Sequence, residues 1–266
     1  MKNNDLSVYR GRDYIINDFI TIHQPTLGEI EMFGEEEYWS TVYSICATPT
    51  DMKWQLHLIG EDWNQVSDYE LFLMMYRSLT KESTSLIFGD LDFNEYELDI
   101  NPVNGDMCLI KYKQDESNKE SNIKKILFGS KEKKDREIVN VIDRSIYEQI
   151  VSYLRTSHKL KKNVERAMTE TTRLVLLEEA EENFNMAKNK PYKSQLVNLI
   201  STFTTMEGSG YNHNTIWDLK INAFMIALES IQHNKSVDRL LQSGYSGFGV
   251  DLSKINKKEL NYFGRD

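Results

Sequence analysis

The chain has 266 residues, 40% hydrophobic and 27% charged, which suffices for one large domain or two small ones with real cores and excludes a disordered polypeptide. Its formal net charge of -9 and pI near 5.2 set up a field that repels phosphate backbones and anionic bilayers, so a nucleic-acid or membrane-surface role would need a local basic patch. Apolar runs such as Leu71 to Met75 and Leu174 to Leu177 fall far short of the ~20 residues of a membrane span, and the opening MKNNDLSVYRGRD lacks the apolar stretch of an export signal, so a reducing cytoplasm is the expected setting.

In chain order, Tyr14 to His23 (YIINDFITIH) is β-branched and aromatic, which suits one strand or a short hairpin turning at Asn17-Asp18. Thr26-Leu-Gly-Glu29 reads as a capping box, in which the Thr hydroxyl accepts a free first-turn amide and the Glu reaches back. The apolar positions Ile30, Phe33, Tyr38, Val42 and Ile45 then predict one kinked helix, or two separated at Gly34. Thr48-Pro49-Thr50-Asp51 repeats the device with proline at the first helical position, and Met52, Gln55, Leu56 and Ile59 follow at helical spacing to a stop at Gly60. Ser67-Asp-Tyr-Glu70 opens a third helix through Leu71, Met74, Met75 and Leu79. Short helices therefore occupy residues 26–79.

The period then changes. Tyr96 to Ile100 and Met107 to Tyr112 flank Asn104-Gly105, the strongest short-range hairpin signal, and predict a β-hairpin over 96–112, extended by strands at Ile126 to Phe128 and Ile138 to Ile142. Residues 113–137 mix lysines with carboxylates and lack apolar periodicity; they are expected to form a mobile charged segment, not a phosphate-binding patch. Asp143 should cap a helix carrying Ile146, Ile150, Val151 and Leu154, followed by a long helix from about Lys161 to Lys188. Pro191 precedes a further helix, Ser194 to Met206, which Gly208-Ser-Gly210 should break. Thr215-Ile-Trp-Asp218 reads as another capping box for a helix reaching about Leu241, and the tail ends in a short amphipathic segment with Leu260, Tyr262 and Phe263. The expected fold is α+β and mostly helical, with short antiparallel sheet or hairpin elements and N-terminal and C-terminal helical bundles. Residues 1–142 would form an α+β region and 143–266 a helical one.

The sequence holds no recognisable reaction centre. Asp90-Leu-Asp92-Phe-Asn94 matches the first calcium-loop ligands, but Glu95 stands where the loop needs glycine and Asn101 where it needs the bidentate glutamate. Gly244-Tyr-Ser246-Gly-Phe-Gly has Phe248 at the second glycine of a nucleophile elbow. His23, His57, His158, His213 and His233 are scattered without ligand spacing, and Cys46 and Cys108 sit in apolar surroundings as small core residues. Neither an enzyme nor a bound metal or cofactor is expected. Trp39, Trp54 and Trp63 crowd one short block, and such rings either fill a core or anchor a partner; of the two, core is the simpler reading.

The segments PTLGEIEMFGEEEYWSTVYSICATPTDMKWQL, LIFGDLDFNEYEL, IDRSIYEQI, NTIWDLKINAFMIALESIQ and KELNYFG resemble proteins of the virion structural module of tailed bacteriophages of Gram-positive bacteria. Within that module the acidic, helical character is similar to tail assembly chaperones, which coat the tape-measure protein before the tube polymerises. The resemblance implies a cofactor-free protein of the host cytoplasm during phage assembly that binds the tape-measure protein or another tail component, with Trp39, Trp54, Trp63, Tyr262 and Phe263 as candidate anchors. The alternatives are a permanent virion component, a head-tail connector or tail protein, and, from a different class, an inhibitor of host defence.

Overall fold

Thr26 receives the Glu29 amide on its hydroxyl at 3.1 Å while the Glu29 carboxylate accepts the Thr26 N–H at 2.6 Å, and the chain enters helix α2 (Leu27–Phe33) from this closed box. A computed structural model describes residues 5–113, 136–188, 190–206, 209–246, 249 and 251–263. The expected strand at 126–128, the break at Gly208 and nearly all of the expected mobile segment at 113–137 lie outside the described residues.

Before α2 come helix α1 (Asp5–Tyr9) and the antiparallel pair β1 (Tyr14–Ile15) and β2 (Thr21–Ile22). The turn is closed by the Asn17 side chain, whose Oδ1 accepts the Phe19 and Ile20 amides at 2.9 and 2.8 Å, so the hairpin alternative holds. Gly34, at φ +107°, separates α2 from α3 (Glu35–Cys46); few residues with a Cβ adopt that backbone, which is why two helices form and not a kinked one. Thr48 and Asp51 do exchange box-like hydrogen bonds, yet they enclose a turn, and α4 (Lys53–Leu58) begins only after Met52. Ser67 closes the second complete box at the start of α5 (Asp68–Met75). The helix expected to reach Leu79 ends at Met75 in a short 3-10 turn, and Thr80 caps a further helix, α6 (Lys81–Phe88), that the sequence reading did not separate.

Strands β3 (Glu97–Ile100), β4 (Met107–Tyr112) and β5 (Ile138–Ile142) form an antiparallel sheet in that order. Ile100 pairs with Met107, so the connection is a six-residue loop closed by Asn101 N–H to Asp106 O at 2.8 Å and Gly105 N–H to Asn101 O at 2.9 Å. A two-residue turn at Asn104-Gly105 would need positive φ at both, and among the described residues only Lys159 is a non-glycine there.

Asp143 caps α7 (Arg144–His158) as expected, with Oδ1 accepting the Ile146 amide at 2.9 Å. The long helix predicted from Lys161 begins instead at Glu170 (α8, Glu170–Lys188). Lys159, at φ +55°, ends α7, and residues 160–168 follow as a strap whose backbone is held by side chains of the N-terminal half. Among the described residues helix α9 (Leu196–Thr205) and helix α10 (Ile221–Tyr245) follow. Thr215 to Asp218 does not open α10 but leads into a 3-10 turn, because Leu219 accepts the Leu27 amide and the Ile221 amide goes to Pro25 O, both at 3.0 Å. That backbone bridge ties the starts of α2 and α10 together.

The result is an α+β fold, mostly helical, with antiparallel sheets of two and three strands. Its main core draws Ile30, Trp39 and Phe72 from one half of the chain and Tyr147, Leu154 and Phe224 from the other, so the expected regions 1–142 and 143–266 share one interior. A smaller cluster of Leu56, Trp63, Leu71 and Leu177 seats α8 against α4 and α5. Among the described residues no helix is long and apolar enough to cross a membrane.

Candidate functional site

Two of the sequence-derived anchors are core residues. Trp39 is 2% exposed, its ring 5.5 Å from both Tyr43 and His158, and Trp63 is 3% exposed with the Arg173 guanidinium 5.6 Å over its ring. The Trp39 indole on α3 and the Trp63 indole in the turn between α4 and α5 are both enclosed by the interior, which removes Trp39 and Trp63 as surface anchors. Trp54 is half-buried on α4 beside His57. Tyr262 and Phe263 lie in the tail folded back along α10, where the Tyr262 hydroxyl donates to Asp238 at 2.5 Å and Phe263 is 97% exposed. The five anchors therefore do not converge on one surface.

An apolar groove of about 420 Å³ lies between α2, α9 and the turn at Trp217. Its floor is Leu27, Ile30, Leu196 and Ile200, with Val197 62% exposed at the lip and Trp217 along one wall. The Glu35 carboxylate accepts the Gln195 and Leu196 amides at 2.7 and 2.8 Å, which fixes the start of α9 across the groove from α2. Glu31, exposed on α2, stands at the rim. Sequence reasoning predicted the Ser194 to Met206 helix and the Thr215 to Asp218 capping box but singled out neither as a site; the signal was the spacing of Val197, Ile200 and Thr204, a stripe on α9 beside the one formed by Leu196, Leu199 and Phe203.

A second concavity, about 580 Å³ and polar, runs along α7 under the strap. Asp68 on its wall meets Lys162 at 2.8 Å and Arg155 at 3.7 Å, and Arg155 also donates to Cys46 O at 2.7 Å. The strap is fastened by Asn163 to Asp51 at 2.8 Å and by a Lys53–Glu165 ion pair.

The interior titratable groups are held in unreactive states. His158 Nδ1 bonds Leu154 O at 2.8 Å, so this nitrogen carries the proton and Nε2 accepts from the Tyr38 hydroxyl at 2.5 Å. Burial pushes the His158 pKa down to about 4 and the Tyr38 phenol well up, leaving a neutral imidazole and a neutral phenol at pH 7. Burial likewise raises the Cys46 thiol to about 12 and Cys108 to about 11, so neither is a nucleophile. Among the described residues no group of three or more His, Cys, Asp or Glu side chains is arranged to hold a metal ion. No protein-family model, curated protein or solved structure matches the chain.

Proposed function

We propose that this protein is a non-catalytic binding factor of phage tail assembly, a chaperone that takes a helical segment of the tape-measure protein into the groove between α2 and α9. The observation that carries the reading is the groove itself: an apolar floor of Leu27, Ile30, Leu196 and Ile200 with Val197 exposed at its lip suits the i, i+3, i+4, i+7 face of an amphipathic helix. Glu31 and the chain's net charge of -9 favour a client helix with lysine or arginine flanking its apolar stripe. The resemblance to virion-module proteins supplies the client's identity.

Co-expression with the tape-measure protein of the same phage is the test. The client should stay soluble and co-purify, and Val197→Asp, a surface change that places a charge at the lip, should weaken capture by about tenfold or more while leaving the melting temperature unchanged. A client that is never captured, or capture indifferent to Val197→Asp, overturns the groove reading. Mass spectrometry of mature virions should find the protein absent; a stoichiometric amount there assigns it to the particle as a connector or tail component.

A further inference from the structure

The strap, residues 160–168, joins no helix or sheet, and the protein grips it by its backbone. Thr50 Oγ1 accepts the Glu165 N–H at 3.1 Å and donates to the Glu165 carbonyl at 3.4 Å. The Asn64 amide does the same for Ala167, accepting its N–H at 3.2 Å and donating to its carbonyl at 3.3 Å. Residues 165 and 167 are two apart, the spacing at which a strand turns its N–H and C=O groups to the same edge. The same alternation assigns the corresponding groups of Val164 and Arg166 to the other edge, and they make no hydrogen bond to another described residue. An unpaired run of this kind is a template for one more strand.

Charge and length narrow what that strand is. Of the carboxylates on the trough wall, Asp68 is neutralised by Arg155 and Lys162, and Glu165 by Lys53. Arg144, stacked 5.7 Å from the Tyr69 ring, and Arg166 have no carboxylate within 4.0 Å among the described residues. Glu148, one turn along α7 from Arg144, is the only other acid in the lining, so the unpaired charge is mainly cationic in a protein of net charge -9. Lining residues on α7 run from Arg144 to Thr156, about 18 Å of helix. That matches about six residues of extended chain and exceeds any small anion.

We propose that the strap and the trough beside it bind an extended acidic peptide segment of a partner protein, which adds as a strand along Val164 and Arg166 and places carboxylates against Arg144 and Arg166. This site is chemically and spatially separate from the apolar groove.

The probe is a capped, fluorescein-labelled peptide of about six residues alternating glutamate and valine, titrated with the full chain and read by fluorescence anisotropy. It should bind at least about tenfold tighter than the same peptide with lysine for glutamate. Methylating the alternate backbone nitrogens on its pairing edge should cost about tenfold or more, and so should the double variant Arg144→Gln, Arg166→Gln, two exposed changes whose fold is checked by circular dichroism. Val197→Asp in the groove should leave the peptide's affinity unchanged. No anisotropy change, equal affinity for the lysine peptide, or affinity insensitive to backbone methylation each overturns the proposal, the last because it leaves only charge attraction without strand addition.

Discussion

At the residue scale, His158 is the group whose surroundings decide most. It sits between Tyr38 and Trp39 with both ring nitrogens engaged, and its pKa is about 4 when folded against an ordinary 6.5. Below pH 6.5 the unfolded chain takes up a proton that the folded chain refuses until about pH 4. Stability from this residue is therefore complete above pH 6.5 and falls as the pH drops through that window, by on the order of 3 kcal/mol in total. Denaturant melts from pH 7 to pH 4 should show this slope, and His158→Leu, though destabilised by stranding the Tyr38 hydroxyl, should show a flatter one; parallel slopes would mean that carboxylates carry the acid sensitivity. Burial likewise divides the aromatic candidates, with Trp39 2% and Phe263 97% exposed. Trp39→Ala should cost about 3–5 kcal/mol as a core cavity, whereas Phe263→Ala should stay within about 0.5 kcal/mol, both read from urea midpoints.

At the element scale the helices are short, so their ends matter as much as their faces. Thr26 and Ser67 each satisfy two orphan donors through a complete box, and alanine at either is expected to lose about 1 kcal/mol. The strap shows the opposite arrangement, a segment without internal hydrogen bonds held by Thr50 and Asn64. Asn64→Ala removes both bonds to Ala167 and should cost about 1–3 kcal/mol. It should also make the bonds after Lys161, Lys162 and Arg166 the early sites of limited trypsin digestion; a digestion pattern identical to the parent would show that the strap is held by its ion pairs.

At the scale of the whole molecule, one interior serves both halves. The Tyr147 and Phe72 ring centroids lie 4.8 Å apart, the Tyr38 hydroxyl donates to His158 Nε2 at 2.5 Å, and the backbone bridge between Thr26 and Lys220 closes the chain on itself. Cutting at residue 142 would expose apolar faces on both pieces, so fragments 1–142 and 143–266 expressed alone should each lack a cooperative thermal transition, and mixing them should restore one. A cooperative transition in either fragment alone would show that the shared core is dispensable. The same unity bears on function, because the groove takes α2 from one half and α9 with Trp217 from the other and exists only in the assembled fold.

The amino-acid sequence by itself determined the features that depend on near neighbours: the boxes at Thr26 and Ser67, the cap at Asp143, the strands at 96–112 and 138–142, and the mostly helical α+β class. These are legible because their hydrogen bonds close within three or four residues or their pairing follows a fixed alternation. Only the tertiary structure decided which faces are interior. Trp39 and Trp63 have the same local signal as a surface anchor, and their burial comes from α7 and α8, more than a hundred residues away. The stretch from Lys161 has helical spacing, yet its first residues form a strap because side chains at positions 50 and 64 take its backbone bonds. The groove was invisible for the same reason: its walls are distant in sequence, and a stripe on α9 becomes a site only where α2 leaves it uncovered.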